Sequence, residues 1–417
     1  MSEHVLIVGP GRDFPARLRA AGPGTETTVI CQVEYLAKVR EPGANARVLG
    51  ARGDDPAEWV ALAAAAHARH PFTRIATFGE RDQDHYAAIG QALGLAAHTP
   101  ETVELVHDKG RMRERLRAAG IDSTASARAT DVDGLLAFVR EHGLPCVVKP
   151  VASSGSAGVT KVTTEDGLAG AFERADGSYL GLGHSGVLVE EYLEGTQYSV
   201  EAFSEDGEHQ VVGITLKYSD PVGFVELGHV SPAPLTDGQA EEVHAYVGRV
   251  LDALGIAAGP THSEVVLTAK GPRLIETHVR MGGDQIPLIT LEATGVDIDD
   301  CAVRQTLGEP VLPAIRAALA SAAGRPSSAI WFGALDTTGV LETVSGLDEA
   351  RALPGVTEAA ALAKPGATVG GLQHSESRVA YARALAPTPD EAVAAARAAV
   401  ARLEFTVRAR CTAATTV

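Results

Sequence analysis

HSEVVLTAKGPRLIETHVRMGG, residues 262–283, is the stretch on which the fold turns. Two apolar runs, Glu264–Thr268 and Arg273–Arg280, flank Ala269-Lys270-Gly271, a turn whose glycine suits a left-handed position. If the loop has three residues, Thr268 pairs with Pro272, and Glu264 then stands opposite Glu276. Opposed side chains lie roughly 4.5–5.5 Å apart at Cβ, so two carboxylates there repel unless a cation lies between them. Oxygen donors of this kind suit Mg²⁺ carrying substrate phosphates. With a period of two, Glu276, His278 and Arg280 project from one face of the second strand. A solvated sheet face with cross-strand charges is the plainer alternative.

Upstream, CVVKPVASSGSAGV (146–159) places Lys149 at the base of a run of small residues, Ser153-Ser154-Gly155-Ser156-Ala157-Gly158, between two short strands. Such a loop lets backbone N–H groups wrap around phosphate oxygens, with the ammonium beside them. It could equally be a surface hairpin. It is not a Walker A loop, since no Gly-Lys-Ser/Thr occurs. Glu190-Glu191-Tyr192-Leu193-Glu194-Gly195 takes an apolar strand into acidic residues and a glycine, as a hinge between sheets would.

The first hundred residues alternate strand and helix: His4–Val8, then Arg74–Phe78, then Tyr86–Leu93 closed by Gly94. This suggests a small parallel α/β unit. Gly9 and Gly11 fall short of a dinucleotide fingerprint, because Phe14 stands where the third glycine belongs. Further expected elements are an N-cap at Thr99, a basic helix over Gly110–Ala119, a helix over Asp131–His142, a hairpin turned by Asp206-Gly207, and a final helix over Pro389–Leu403 capped by Thr388 and Glu391. The chain divides in expectation into 1–98, 99–185, 186–310 and 311–417.

The 417 residues hold 53 acidic against 36 basic side chains, a formal net charge of −17. That disfavours nucleic acid or an anionic membrane as a partner, and leaves any anionic ligand to a local basic cluster. No run of about 18 apolar residues suggests a membrane span, and the start lacks the marks of a signal peptide. Four separated cysteines, Cys31, Cys146, Cys301 and Cys411, fit a reducing cytoplasm and no zinc site. With 45% hydrophobic residues, a cytoplasmic enzyme or binding protein is expected.

Taken in order, these segments resemble the ATP-grasp family from about Thr99 to Gly283, more weakly beyond. HDKGRMRERLRAAGI (107–121) is similar to the family's first lysine helix, and 146–159 to its second lysine and phosphate-covering loop. VLVEEYLEGTQYSVEAF (187–203) resembles the adenine hinge, and 262–283 the two-strand metal site with its arginine. The resemblance implies an α/β (α+β) protein: a Rossmann-like N-terminal domain, an ATP-grasp fold and a C-terminal α+β lid region.

It further implies that Lys109 and Lys149 hold ATP phosphates beneath Ser153, Ser154, Gly155, Ser156 and Gly158. Glu190, Glu191, Tyr192 and Leu193 would contact adenine, with Gln197 where a ribose-binding glutamate is usual. Glu264 and Glu276 would hold Mg²⁺, with Mn²⁺ a substitute, and His278 replaces the usual asparagine. Arg280 would stabilise the transferred phosphoryl group, with Lys149 as a second catalytic cation. GFVELGHVSPAPL (223–235) and RMGGDQIP (280–287) look most like bacterial L-amino acid ligases that make dipeptides. On that likeness Glu226 and His229 would bind substrate, while the N–H groups of Gly282 and Gly283, with His278 nearby, would meet a carboxylate. HSESRVAYARALAPTPDEAVAAA (374–396) resembles the part that covers the site.

The implied reaction is ATP- and Mg²⁺-dependent amide formation between an amino acid or related carboxylate and an amine, through an acyl phosphate. Alternatives are an enzyme similar to biotin carboxylase acting on bicarbonate, and a nucleotide-binding regulator without turnover. Partners would be ATP and small-molecule substrates, with a second copy able to pack on the N-terminal unit.

Overall fold

A computed structural model describes residues 3–152, 155–177, 186–221 and 223–409. The expected loop residues Ser153 and Ser154, and Cys411, lie outside them. Strands β1 (His4–Val8), β2 (Glu26–Gln32), β3 (Arg47–Ala51) and β4 (Arg74–Thr77) form a parallel sheet in the order β3-β2-β1-β4. The run His-Val-Leu-Ile-Val of β1 is wholly buried, as the centre of a parallel sheet covered on both faces requires. Leu6, Val8 and Ile30 pack with Trp59 and Ile89 on one side, and Val5, Ile7 and Val29 pack with Phe14 and Leu18 on the other. The expected strand at 74–78 ends one residue early, and the helix expected at 86–93 begins at Gln83.

Next come β5 (Ser126–Ala129), β6 (Cys146–Pro150), β7 (Thr160–Val162) and β8 (Val187–Glu191), an antiparallel sheet in the order β5-β8-β6-β7. The remaining strands are β9 (Thr196–Glu205), β10 (Glu208–Ser219), β11 (Glu226–Ser231), β12 (Gly259–Thr268), β13 (Gly271–His278), β14 (Ser327–Gly333), β15 (Gly339–Ser345), β16 (Val356–Ala361), β17 (Thr368–Val369), β18 (Ala380–Ala386) and β19 (Glu404–Ala409). Eight of them make one antiparallel sheet, β13-β12-β9-β10-β11-β14-β18-β16, and a small sheet runs β17-β15-β19. The large sheet draws strands from both sides of residue 310.

The Asp206-Gly207 turn joins β9 to β10 as expected, with φ +50° and +80°, the left-handed pair a two-residue hairpin needs. Thr99 caps the helix Pro100–His107, and Thr388 caps a final helix that stops at Val400 rather than Leu403. The helix Asp237–Ala253 carries no expectation from the sequence. It lays Val243, Val247, Val250 and Leu251 against Val200, Val265 and Leu274 of the large sheet. Cys31, Cys146 and Cys301 are buried and unpaired. Among the described residues no helix is long and apolar enough to cross a membrane.

Candidate active site

The decisive hairpin has the expected outcome by a different route. Its turn has two residues, not three: Thr268 pairs with Gly271, and Val265 with Leu274. A β-bulge between Glu264 and Val265 then restores the register, so Glu264 does face Glu276. In a regular strand Leu274 and Glu276 would share a face. The extra residue separates them, leaving Leu274 in the core and Glu276 on the polar face. Arg280 lies two residues beyond the end of β13, so strand alternation does not place it.

That polar face borders a cavity of ≈ 290 Å³ between the two antiparallel sheets. Its walls include Lys109, Lys149, Glu190, Glu191, Tyr192, Leu193 and Gln197, with Gly155 and Ser156 from the small-residue loop. Glu226, His229, Glu264, Glu276, His278, Arg280 and Gly283 complete the set brought together. Two expected members stand apart. Gly158 does not line the cavity, and the Gly282 N–H donates to Glu201 Oε2 at 2.9 Å, so it cannot meet a substrate carboxylate. A Cβ at Gly282 would approach both Glu201 and His262 to 2.9 Å, which explains the glycine.

Each carboxylate of the opposed pair has its own cations. Lys217 Nζ lies 2.6 Å from Glu264 Oε1, Gln197 Nε2 donates to Glu264 Oε2 at 2.9 Å, and His262 Nε2 lies at 3.6 Å. Lys109 Nζ lies 2.9 Å from Glu276 Oε2, and His278 Nε2 lies at 3.2 Å. Burial and mutual repulsion favour protonation, but Lys217 and His262 hold the Glu264 carboxyl down at about 2. Burial is likewise outweighed by Lys109 and His278 at Glu276, which stays well below the usual carboxylate range. Burial opposes the charged form of His262, yet Glu201 and Glu264 raise its pKa to about 9. The pair is thus ionised and offers hard oxygen ligands, a donor set that fits Mg²⁺.

Lys149 meets Glu190 at 2.7 Å, and Arg113 meets the same carboxylate through Nε at 2.7 Å and Nη2 at 3.2 Å. Burial depresses the Lys149 pKa; Glu190 resists this, but Arg113 and Lys109 add to it. Lys149 is therefore a buried ammonium that shares its one carboxylate with Arg113, and a bound anion would favour its charged form. At the hinge, the N–H groups of Glu191 and Tyr192 are bonded to the carbonyls of Ala125 and Pro145, and Lys161 Nζ stands 3.5 Å from the Tyr192 ring centroid.

Several residues of this site had no expectation attached. Glu80, beyond β4 of the parallel sheet, accepts from Arg280 Nε at 2.8 Å and lies 2.8 Å from His278 Nδ1. Lys217 bridges Glu264 to Glu226, 3.2 Å away. A lysine breaking the apolar run of β10 was a readable signal; the pairing of Glu80 with residues two hundred positions on was not.

A model described as ATP-grasp domain matches residues 142–287, and one described as L-amino acid ligase C-terminal domain 2 matches residues 331–408. The chain belongs to the ATP-grasp family. Within the chain, residues 331–408 are similar to the C-terminal domain 2 of L-amino acid ligases. A Sinorhizobium fredii protein named "Uncharacterized protein y4rH" is 30% identical over 333 residues, covering 78% of this chain and 67% of that one. Alanine–anticapsin ligase of Bacillus subtilis is 27% identical over 220 residues, covering 48% of this chain and 46% of that one. The match thus spans about half the length of that ligase. The crystal structure of an L-amino acid ligase from Bacillus licheniformis shares the fold with a TM-score of 0.80 at 20% identity, over 98% of this chain and 99% of that one.

Proposed function

We propose that the protein is an ADP-forming carboxylate–amine ligase that joins amino acids or close analogues, using ATP and Mg²⁺. The observation that carries this is the opposed, ionised pair Glu264 and Glu276, set in one cavity with Lys109, Lys149 and Arg280. Glu264 and Glu276 would hold Mg²⁺, which would neutralise phosphate charge and polarise the transferred phosphoryl group. Lys109 and Lys149 would take the ATP phosphates beneath Gly155 and Ser156. The hinge at Glu190–Leu193 would read adenine with its carbonyls and the Leu193 N–H, since Glu191 and Tyr192 have already spent theirs. Gln197, bonded to Glu264, would order that carboxylate as well as face the ribose.

A substrate carboxylate oxygen attacks the γ-phosphorus, ADP leaves, and an acyl phosphate forms. An amine then attacks the acyl carbon, phosphate leaves, and the amine proton passes to solvent. Arg280 would stabilise the negative charge that develops in both steps, held in place by Glu80. Glu226 and His229 would contact the amino acid substrates, with His278 and Gly283 nearby. Because ATP is the substrate, a cytoplasmic setting accompanies this reading. Biotin carboxylases share the fold as well, but the C-terminal match to L-amino acid ligases favours amino acids over bicarbonate.

The test is ADP release from Mg–ATP over a panel of single and paired amino acids, with products read by mass. A pair whose product is the summed mass less water is the expected hit. Arg280→Met should then lower kcat by about 10²–10³ while ATP binding changes little. ADP formation that needs no amine and yields no amide would refute the ligase.

A further inference from the structure

Among the described residues of the C-terminal region, Ser375 lines the cavity, at the start of the short turn Ser375–Ser377. Ser375 Oγ donates to Glu226 Oε2 at 2.8 Å, and the Ser375 N–H donates to the Gly155 carbonyl at 3.3 Å. One residue therefore touches both the small-residue loop and the Glu226 carboxylate, beside the bond from Ser156 Oγ to the Phe224 carbonyl at 3.0 Å. Arg378 is 8% exposed and spends its donors inward. Its Nη1 and Nη2 grip Asp284 at 2.7 and 2.6 Å, Nη1 also reaches the Glu226 carbonyl at 3.2 Å, and Nε donates to the Ser375 carbonyl at 2.7 Å.

Asp284 and its neighbour Gln285 have φ of +50° and +60°, two consecutive left-handed residues that are uncommon outside glycine. Arg378 and His229, whose Nε2 is 3.2 Å from Asp284, hold the Asp284 carboxylate from two sides. A buried arginine bound through both Nη atoms to an aspartate is a costly arrangement to keep for packing alone.

We propose that Ser375 and Arg378 are positioning residues that latch the substrate end of the cavity to the small-residue loop and keep water from the acyl phosphate. The proposal rests on the ligase reading and deepens it. Ser375 closes the gap between Gly155 and Glu226, and Arg378 fixes both the Ser375 carbonyl and the Asp284–His229 pair. With the latch open, water competes with the amine. Its oxygen bonds to the acyl carbon, the bond from that carbon to the phosphate oxygen breaks, and carboxylate and phosphate leave with one proton passing to solvent. The net loss is one ATP hydrolysed with no amide made.

The readout is ADP formed per amide formed, in the full-length protein, for wild type, Ser375→Ala, Ser375→Thr and Arg378→Met. Wild type should give a ratio of about one, and Ser375→Ala and Arg378→Met about three or more, because water now reaches the intermediate. Ser375→Thr keeps the hydroxyl and should return the ratio to that of wild type. KM for ATP should stay within about twofold, since neither side chain faces the nucleotide end. A melting temperature matching wild type for Ser375→Ala separates positioning from general destabilisation, and this variant carries the test if Arg378→Met fails to fold. Ratios of about one in both variants would overturn the latch while leaving the ligase intact. A wild type that makes no amide from any pair overturns the ligase reading, and the latch with it.

Discussion

Glu190 shows how one side chain can serve both the fold and the site. From the sequence it resembles part of an adenine hinge; in the structure the residue is 4% exposed and its carboxylate faces Arg113 and Lys149. Burial alone would raise its pKa, but the two cations outweigh that and hold it at about 2, against an ordinary 4.5. A carboxyl depressed in the folded state stabilises the protein above its ordinary pKa, and that contribution fades as pH falls from 4.5 toward 2. Glu190→Gln would leave two buried cations facing each other, and should cost about 3–5 kcal/mol at neutral pH by urea unfolding. The variant should also lose part of the steep fall in stability between pH 4.5 and 2. An unchanged acid limb would mean that Glu190 does not carry the charge assigned to it. The residue types here were legible, since lysine, glutamate and small residues recur at readable spacing. Their partners were not: Arg113 lies 77 positions from Glu190, and no local pattern encodes that meeting.

The β12–β13 hairpin makes the same point for an element. Alternation alone would put Leu274 and Glu276 on one face, and only the bulge turns the glutamate toward the cavity and the leucine toward the core. The sequence announces the turn through Gly271, which has φ +98°, but it does not announce the bulge. The helix Asp237–Ala253, by contrast, carries a readable stripe: its five buried side chains, Val243, Tyr246, Val247, Val250 and Leu251, recur at i, i+3, i+4, i+7 and i+8. Where β8 hands over to β9, Gly195 lets two chains meet. A Cβ there would sit 2.3 Å from the Leu267 carbonyl oxygen and 2.9 Å from its carbon, and neither atom can swing aside as a side-chain tip could. Gly195→Ala should therefore push β9 away from β12 and cost about 1–3 kcal/mol by thermal unfolding. Because Gly195 borders the cavity between Leu193 and Gln197, KM for ATP should rise with it. A variant as stable as wild type with an unchanged KM would show that the strand junction tolerates separation.

At the scale of the molecule, the β5-β8-β6-β7 sheet and the large sheet supply strand residues to the walls of one cavity, and Glu80 of the N-terminal unit holds two residues that line it, His278 and Arg280. The alternation of strand and helix made β1 and β4 of the first sheet legible, β1 as a run buried on both faces, while β2 and β3 carried no expectation. The large sheet was harder to read. Its order sets β11 beside β14 and β18 beside β16, so neighbours in space are far apart in the chain and their pairing leaves no local trace. That order also has a mechanical consequence. Strand β11 carries Glu226 and His229, and it is hydrogen-bonded on its far side to β14 from Gly228–Trp331 to Ser231–Ser328. The helix Pro389–Val400 packs Ala392, Val393 and Ala396 over Val230, Ala329 and Ala384. A chain cut at residue 320 would lose β14, β16, β18 and this helix together. It would expose the edge of β11 and the apolar face beside it, a template for pairing with another chain. Residues 1–320 should therefore emerge from expression as aggregate, or as large species on size exclusion, even though the segment matched as ATP-grasp domain, 142–287, is retained entire. A soluble, monomeric product with cooperative unfolding would mean instead that the large sheet closes without its C-terminal strands, and that these strands serve the substrate end alone.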